Sequence, residues 1–208
     1  IVDRHSRKER HQRIAAAAGE RHGREWRWMS TVAFWIASCF IVGSLLFITG
    51  GVASIVGHLY GWLAPWQSRA LITYAYFAGG TYFTAGAYLG WFININIGRE
   101  ERLAVPCAGP QGGLSDAAFW GSLTYFVGAL AFQVAVFVPI LMPDAHDLVT
   151  FWLEYFAQAF GGFCFFFASV IEWSHNRHAS PRERVFWLCA FYAVGSLLFV
   201  FASRLELR

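Results

Sequence analysis

The sequence predicts an all-α, polytopic membrane protein of about five transmembrane helices with internal helical-hairpin repeats. Composition, the length of the apolar runs and the placement of charge carry this expectation. Of 208 residues, 57% are hydrophobic and 14% are charged, whereas a soluble domain carries about 25% charged residues. The charge is concentrated in the first 27 residues and in short gaps between long apolar runs, which is the membrane pattern. Aromatic residues make up 19%, with 10 Trp and 21 Phe.

Residues 1–28 read as a basic cytoplasmic or interfacial helix. Glu9 and Arg13, and Glu20 and Arg24, stand four apart, and Ala15 to Ala18 favour helix. The chain opens with charge rather than with the apolar core of a secretory signal peptide, and its first residue is Ile1 rather than Met. The transmembrane domain follows over 29–208. Its expected spans are about 31–55 (with a possible extension to Tyr60), 70–96, 117–141, 148–173 and 185–202. Each has at least 18 residues, enough to cross a hydrocarbon layer of about 30 Å. Backbone groups in lipid must be satisfied internally, and period-two alternation is absent, so helices rather than a barrel are expected.

The boundaries carry helix-end chemistry. Ser180-Pro181-Arg182-Glu183 reads as a capping box with Pro at the first helical position. Ser115-Asp116 and Ser68 are suitable N-caps for the third and second spans, and Pro139 and Pro143 help to end the third. Trp26, Trp28, Trp62, Trp66, Trp152 and Trp173 fall near span ends, where aromatic belts form. With the N-terminus cytoplasmic, 13 of the 16 Lys and Arg residues lie on inner segments. The positive-inside rule therefore orients the chain in a bacterial-type inner membrane with its C-terminus extracytoplasmic.

A repeat runs through the spans. Phe34-Trp35 precedes Phe40-Ile41-Val42-Gly43-Ser44-Leu45-Leu46-Phe47. At the same spacing, Phe119-Trp120 precedes Tyr125-Phe126-Val127-Gly128-Ala129-Leu130-Ala131-Phe132, and Phe186-Trp187 precedes Tyr192-Ala193-Val194-Gly195-Ser196-Leu197-Leu198-Phe199. A partial copy runs from Tyr76 through Gly79 to Phe83. The full copies fall in the first, third and fifth spans, so the unit is a helical hairpin used twice and then cut to one helix. Glycine followed by a small residue lets helices approach closely. The expected packing positions are Gly43, Ser44, Gly79, Gly86, Gly90, Gly128, Ala129, Gly195 and Ser196, with Gly57 and Gly61 as a further pair. The Val-Gly-Ser-Leu-Leu-Phe segment, with its preceding aromatics and short Arg-containing tail from Gly195 to Arg208, resembles the YrhK-like small membrane domain. That resemblance implies a small membrane domain and names no reaction.

The polar residues form few constellations. Glu172 and His175 share a helix face, but the di-metal pattern they suggest needs a second copy and further carboxylates, so an interfacial cap is expected and no metal. Glu154 with Gln158, and Gln133, are polar groups within spans. Asn94 and Asn96 are expected to end the second span at the inner face. His58, near the outer end of the first span, is the candidate axial ligand for a haem or pigment. Cys39, Cys107, Cys164 and Cys189 are widely spaced and read as small packing residues. Arg4, Arg7, Lys8, Arg10 and Arg13 are expected to meet lipid headgroups or a protein partner rather than nucleic acid.

No P-loop, His-Glu-x-x-His, Ser-His-Asp order or dinucleotide fingerprint occurs, so no enzyme is expected. The leading expectation is a non-catalytic accessory or scaffold subunit that packs against other membrane proteins and lipid. No cofactor is predicted; a pigment, haem or quinone subunit of a photosynthetic or respiratory complex is the first alternative. A small transporter or channel lined by Glu154, Gln158 and Gln133 is the second.

Overall fold

A computed structural model of the chain describes residues 25–97, 104–110, 116–144, 146–178 and 180–205. Among the described residues all regular structure is helical. Helix α1 is Glu25–Tyr60, and α2 covers residues 65–96. Helix α3 is Ala117–Leu141, α4 is Asp147–His175 and α5 is Arg184–Leu205. Three stretches are long and apolar enough to cross a membrane: Thr31–Tyr60, Ala117–Leu141 and Asp147–His175. Helix α2 is not among them, because its many Tyr, Thr, Gly and Asn residues dilute its apolar character. In α5 the apolar stretch is Cys189–Leu198. Arg4, Arg7, Lys8, Arg10 and Arg13 lie outside the described residues.

The helix ends follow local chemistry. Gly61, at φ +63°, stops α1 by donating its N–H to the Gly57 carbonyl, a left-handed conformation that glycine adopts without a Cβ clash. Gly61 is thus a turn residue with nothing packed on its α-carbon, while Gly57 meets Leu63. The expected cap at Ser68 falls inside α2. That helix instead starts at Pro65, and the Ala64 N–H donates to Gln67 Oε1. Asp116 caps α3 by accepting from the Phe119 N–H at 3.2 Å. His146 Nδ1 caps α4 by accepting from the Leu148 N–H. Before α5, Glu183 Oε1 accepts from the Ser180 N–H, the reciprocal half of a capping box.

Consecutive helices pack antiparallel, so α1, α3 and α5 run one way and α2 and α4 the other. Along α1 and α2, Cys39 meets Gly86, Gly43 meets Gly79, and Gly50 meets Tyr76. Contact is most extensive within the α1–α2 and α3–α4 pairs. Each pair closes on two glycines. A Cβ on Gly43 would stand 3.0 Å from the Gly79 carbonyl oxygen, and one on Gly79 would stand 3.1 Å from that of Gly43. The same reciprocal contact joins Gly128 and Gly161, at 3.0 and 2.8 Å. Small residues permit such backbone proximity, and at 2.8 Å a Cβ on Gly161 would force a shift.

Helices α2 and α4 also match in their irregularities. Each begins with one α-helical turn, Pro65–Ser68 or Asp147–Thr150. Each then widens into a π-helical segment, Arg69–Thr73 or Phe151–Phe156, before the main run. Such π segments are rare, and here they stand at the same interval as Gly79 and Gly161. The two pairs join through α2 and α3. Thr84 Oγ1 donates to the Ala129 carbonyl at 3.1 Å, and Gln133 Nε2 donates to Thr81 Oγ1 at 3.1 Å. Helix α5 rests on α4 through a 3.1 Å hydrogen bond between the Ser169 and Ser196 hydroxyls.

These contacts predict opposite responses at two glycines of one motif. Gly128→Ala drives a methyl to within 2.8 Å of Cys164 Cβ and should cost about 1–3 kcal/mol, the range for overpacking. Gly195→Ala enters open space and should be neutral or stabilising by up to about 1 kcal/mol through helix propensity. Equilibrium unfolding in mixed micelles checks both; equal responses would contradict the packing described.

Candidate functional site

Aromatic rings, one from every helix, meet along an axis, with Tyr192 at its edge, 38% exposed. They are Phe40, Phe83, Tyr125, Phe165 and Tyr192, from α1 to α5 in order. Tyr125 is the hub. Its ring centroid lies 6.1 Å from Phe40, 5.9 Å from Phe83, 4.8 Å from Phe165 and 6.0 Å from Tyr192. Phe83 also meets Phe40 edge-on at 4.9 Å and Phe165 at 5.9 Å. Such edge and tilted pairs contribute about 0.5–1.5 kcal/mol each beyond burial. The motif explains the convergence. Phe40, Tyr125 and Tyr192 each precede the motif glycine by three residues, so glycine and ring lie on neighbouring faces of their helix. A further ring layer forms where Phe47 meets Phe132 at 5.4 Å and Phe83 at 5.8 Å.

A cavity of about 230 Å³ opens beside this axis, bounded by all five helices. Phe40, Tyr125 and Tyr192 supply rings to its lining, and Asn94, Ser122 and Glu172 supply polar groups. Glu172 Oε1 accepts from Asn176 Nδ2 at 3.0 Å, while Asn94 Nδ2 donates to the Ala118 carbonyl at 3.3 Å. Asn96 is fully buried. Its amide accepts from the Val105 N–H at 2.8 Å and donates to the Val105 carbonyl at 2.9 Å. It thereby pins the segment after α2 against the helix ends, and the Tyr88 hydroxyl adds a bond to the Pro106 carbonyl.

The residues singled out from sequence separate into groups. Gly43, Gly79 and Gly128 lie at helix crossings, and Gly86 packs against Cys39 and Phe40. Gly90 meets nothing within 4 Å and lines the cavity. Ala129 and Ser196 are buried between helices, whereas Ser44 is exposed on α1. Gly195 meets nothing within 4 Å. His58 is exposed in the last turn of α1, away from the cavity lining. Glu154 lies half-buried in the π segment of α4, with Gln158 one turn on. His175 is exposed. Among the described residues no group of three or more His, Cys, Asp or Glu could hold a metal ion, and no disulfide joins Cys39, Cys107, Cys164 or Cys189.

The correspondence of α2 with α4 goes beyond the partial copy seen in sequence. Gly79-Gly80 and Phe83 match Gly161-Gly162 and Phe165, while Trp91 and Asn94 match Trp173 and Asn176 at the same interval. That glycine pair was the signal available for Phe165, which the motif centred on α1, α3 and α5 passes over. Comparison with family models, with curated proteins and with solved structures gives no match. The class defined here is therefore structural: among the described residues an all-helical fold, with three helices long and apolar enough to cross a membrane, packed around an aromatic axis.

Tyr125→Ala removes the ring shared by four partners and should destabilise by about 3–5 kcal/mol, the range for large-to-small core changes. Tyr125→Phe keeps the ring and should cost under about 1.5 kcal/mol. Unfolding of both variants in mixed micelles separates the two; a mild Tyr125→Ala would show that the axis does not hold the helices.

Proposed function

We propose that the protein is a non-catalytic accessory or scaffold subunit of a bacterial-type inner membrane, crossing it five times with its N-terminus cytoplasmic. The observation that carries this reading is that the axis of the bundle is filled with mutually packed rings, while large apolar side chains face outward. On α1, Phe34, Trp35, Ile41, Leu45 and Ile48 are all more than half exposed. Such surface suits lipid and other membrane helices. Helices α2 and α5 become spans in this reading because each lies antiparallel against a neighbour that is long and apolar enough to cross. The hairpin repeat and the YrhK-like resemblance belong to the same reading, as does contact of the basic N-terminal segment with headgroups or a cytoplasmic partner.

A lipophilic-cofactor subunit is the second reading, favoured by the aromatic cavity that all five helices bound. At about 230 Å³ that cavity falls below the roughly 300–1,000 Å³ of drug-sized ligand pockets, and His58 is not in its lining. Native purification in mild detergent, with mass spectrometry and an absorption scan, separates the two. Co-purification with a defined membrane complex, without absorbance from the isolated chain, supports the accessory reading. A stoichiometric chromophore on the lone chain would contradict it.

Orientation has its own test. Cys107 is exposed and lies on the proposed cytoplasmic side. A membrane-impermeant thiol reagent should leave it unlabelled in intact cells and label it after permeabilisation, while Asp144→Cys should label in intact cells. The reverse pattern would overturn the topology.

A further inference from the structure

The cavity beside the aromatic axis changes character along its length. Asn94 and Glu172, in the last turns of α2 and α4, line its polar end. Gly86, which packs on Phe40, stands about two helical turns before Asn94, or about 12 Å deeper along the axis. Tyr125 and Tyr192 share that deeper level, because Tyr125 meets Phe40 at 6.1 Å and Tyr192 at 6.0 Å. The polar end is rich in acceptors. The Ser122 hydroxyl spends its proton on the Ala118 carbonyl at 2.8 Å, and the Asn94 amide donates to the same carbonyl. Their remaining capacity is mainly oxygen lone pairs. The Glu172 carboxylate accepts from Asn176, and such a group offers acceptors only, with about four lone-pair sites.

The two hairpins differ at one position of this lining. Trp91 and Asn94 of α2 recur as Trp173 and Asn176 of α4, and the same interval sets Gly90 against Glu172. Both line the cavity. The Trp and Asn are kept, while the position between the shared glycines and the shared Trp is a glycine in one hairpin and a carboxylate in the other. A Cβ on Gly90 meets nothing within 4 Å. The missing side chain therefore makes no helix contact possible; it leaves room in the cavity.

We propose that this cavity is a binding site for a small organic amine in its ammonium form, carrying an apolar body of about one ring. The ammonium donors meet Glu172, Asn94 and Ser122. The body lies among Phe40, Tyr125 and Tyr192, whose ring faces also attract a cation. Size sets the one-ring limit. At about 230 Å³ the cavity exceeds the roughly 150 Å³ that holds benzene and falls below the roughly 300 Å³ of the smallest drug-sized pockets. A carboxylate or phosphate ligand would bring like charge and further acceptors to Glu172. A wholly apolar ligand would cover the carboxylate without supplying a donor, which is costly. A phospholipid ethanolamine head would set its phosphate where this site has rings. The inference goes beyond the accessory-subunit reading and does not depend on it.

The test uses the full chain in mixed micelles and radiolabelled phenethylammonium as probe, in equilibrium dialysis against empty micelles. The expected result is saturable binding at one probe per chain. Glu172→Gln keeps an acceptor for Asn176 and should weaken binding by about tenfold or more, as loss of a hydrogen bond to a charged group does. Gly90→Leu should abolish binding by filling the cavity. It enters open space, and unchanged unfolding of both variants separates loss of the site from loss of the fold. Val194→Leu, at a position 56% exposed, should leave binding unchanged. A competitor needs no variant: phenylpropanol, of similar length without the charge, should displace the probe about tenfold less well than unlabelled amine.

Uptake that does not saturate, or that empty micelles match, overturns the site. Binding that survives Gly90→Leu places the probe elsewhere and overturns it too. Binding indifferent to Glu172→Gln, or equal displacement by phenylpropanol, overturns the assignment to an ammonium. Displacement of the probe by phosphatidylethanolamine added to the micelles overturns the assignment to a free amine, by placing a lipid head in the site.

Discussion

The close approach of two backbones at glycine is the constraint on which the rest of this structure depends. At Gly43 with Gly79 and at Gly128 with Gly161, the carbonyl of one helix occupies the space a Cβ would fill on the other. In lipid, apolar burial alone supplies little drive for helices to associate, so van der Waals packing at such contacts sets which helices pair. Once the pairs are drawn together, rings set three residues before or four after each glycine have only the axis to enter. Tyr125 then touches rings from all four other helices. Close glycines and packed rings form one device: small residues set the distance between helices, and large ones fill the space that distance leaves.

Polar groups appear where this device stops. Thr84 and Gln133 bond across α2 and α3, and Ser169 with Ser196 across α4 and α5. Double-mutant measurements place such bonds in membranes near 0.6 kcal/mol. They fix rotation and register more than they supply stability. At the end of the bundle that bears Asn96, a fully buried amide takes over and holds the returning chain by two bonds to Val105. The cavity lies between these regimes and is lined both by rings and by Asn94, Ser122 and Glu172.

Much of the architecture was legible in the sequence because glycine and aromatic residues at fixed spacing have few uses in an apolar helix. The Gly43, Gly128 and Gly195 motif located three helices and their shared direction. Asp116 announced the start of α3 because a carboxylate can satisfy a free N–H there. Helix α2 was harder to read at its start, whereas its end at Asn96 is where the sequence placed it. Its cap is Gln67 reaching back to Ala64, a bond that needs Pro65 to set the turn, so Ser68 misled. Its correspondence with α4 was masked because only Gly79-Gly80, Phe83, Trp91 and Asn94 recur, while the lipid-facing residues between them are free to vary. The π segments leave no sequence mark, since a widened turn changes hydrogen-bond spacing rather than residue type. Gly90 and Gly195 read as packing residues by pattern, and only the arrangement of neighbouring helices leaves them open.

Helices without extensive mutual contact are tied together in this bundle through one ring, that of Tyr125. Phe40 on α1 and Tyr192 on α5 both meet Tyr125, and their helices share little direct packing. A double-mutant cycle of Phe40→Ala and Tyr192→Ala, read by equilibrium unfolding in mixed micelles, measures that tie. The account predicts a coupling of about 0.5 kcal/mol or more, beyond the scatter expected for independent sites. Strict additivity of the two substitutions would contradict it.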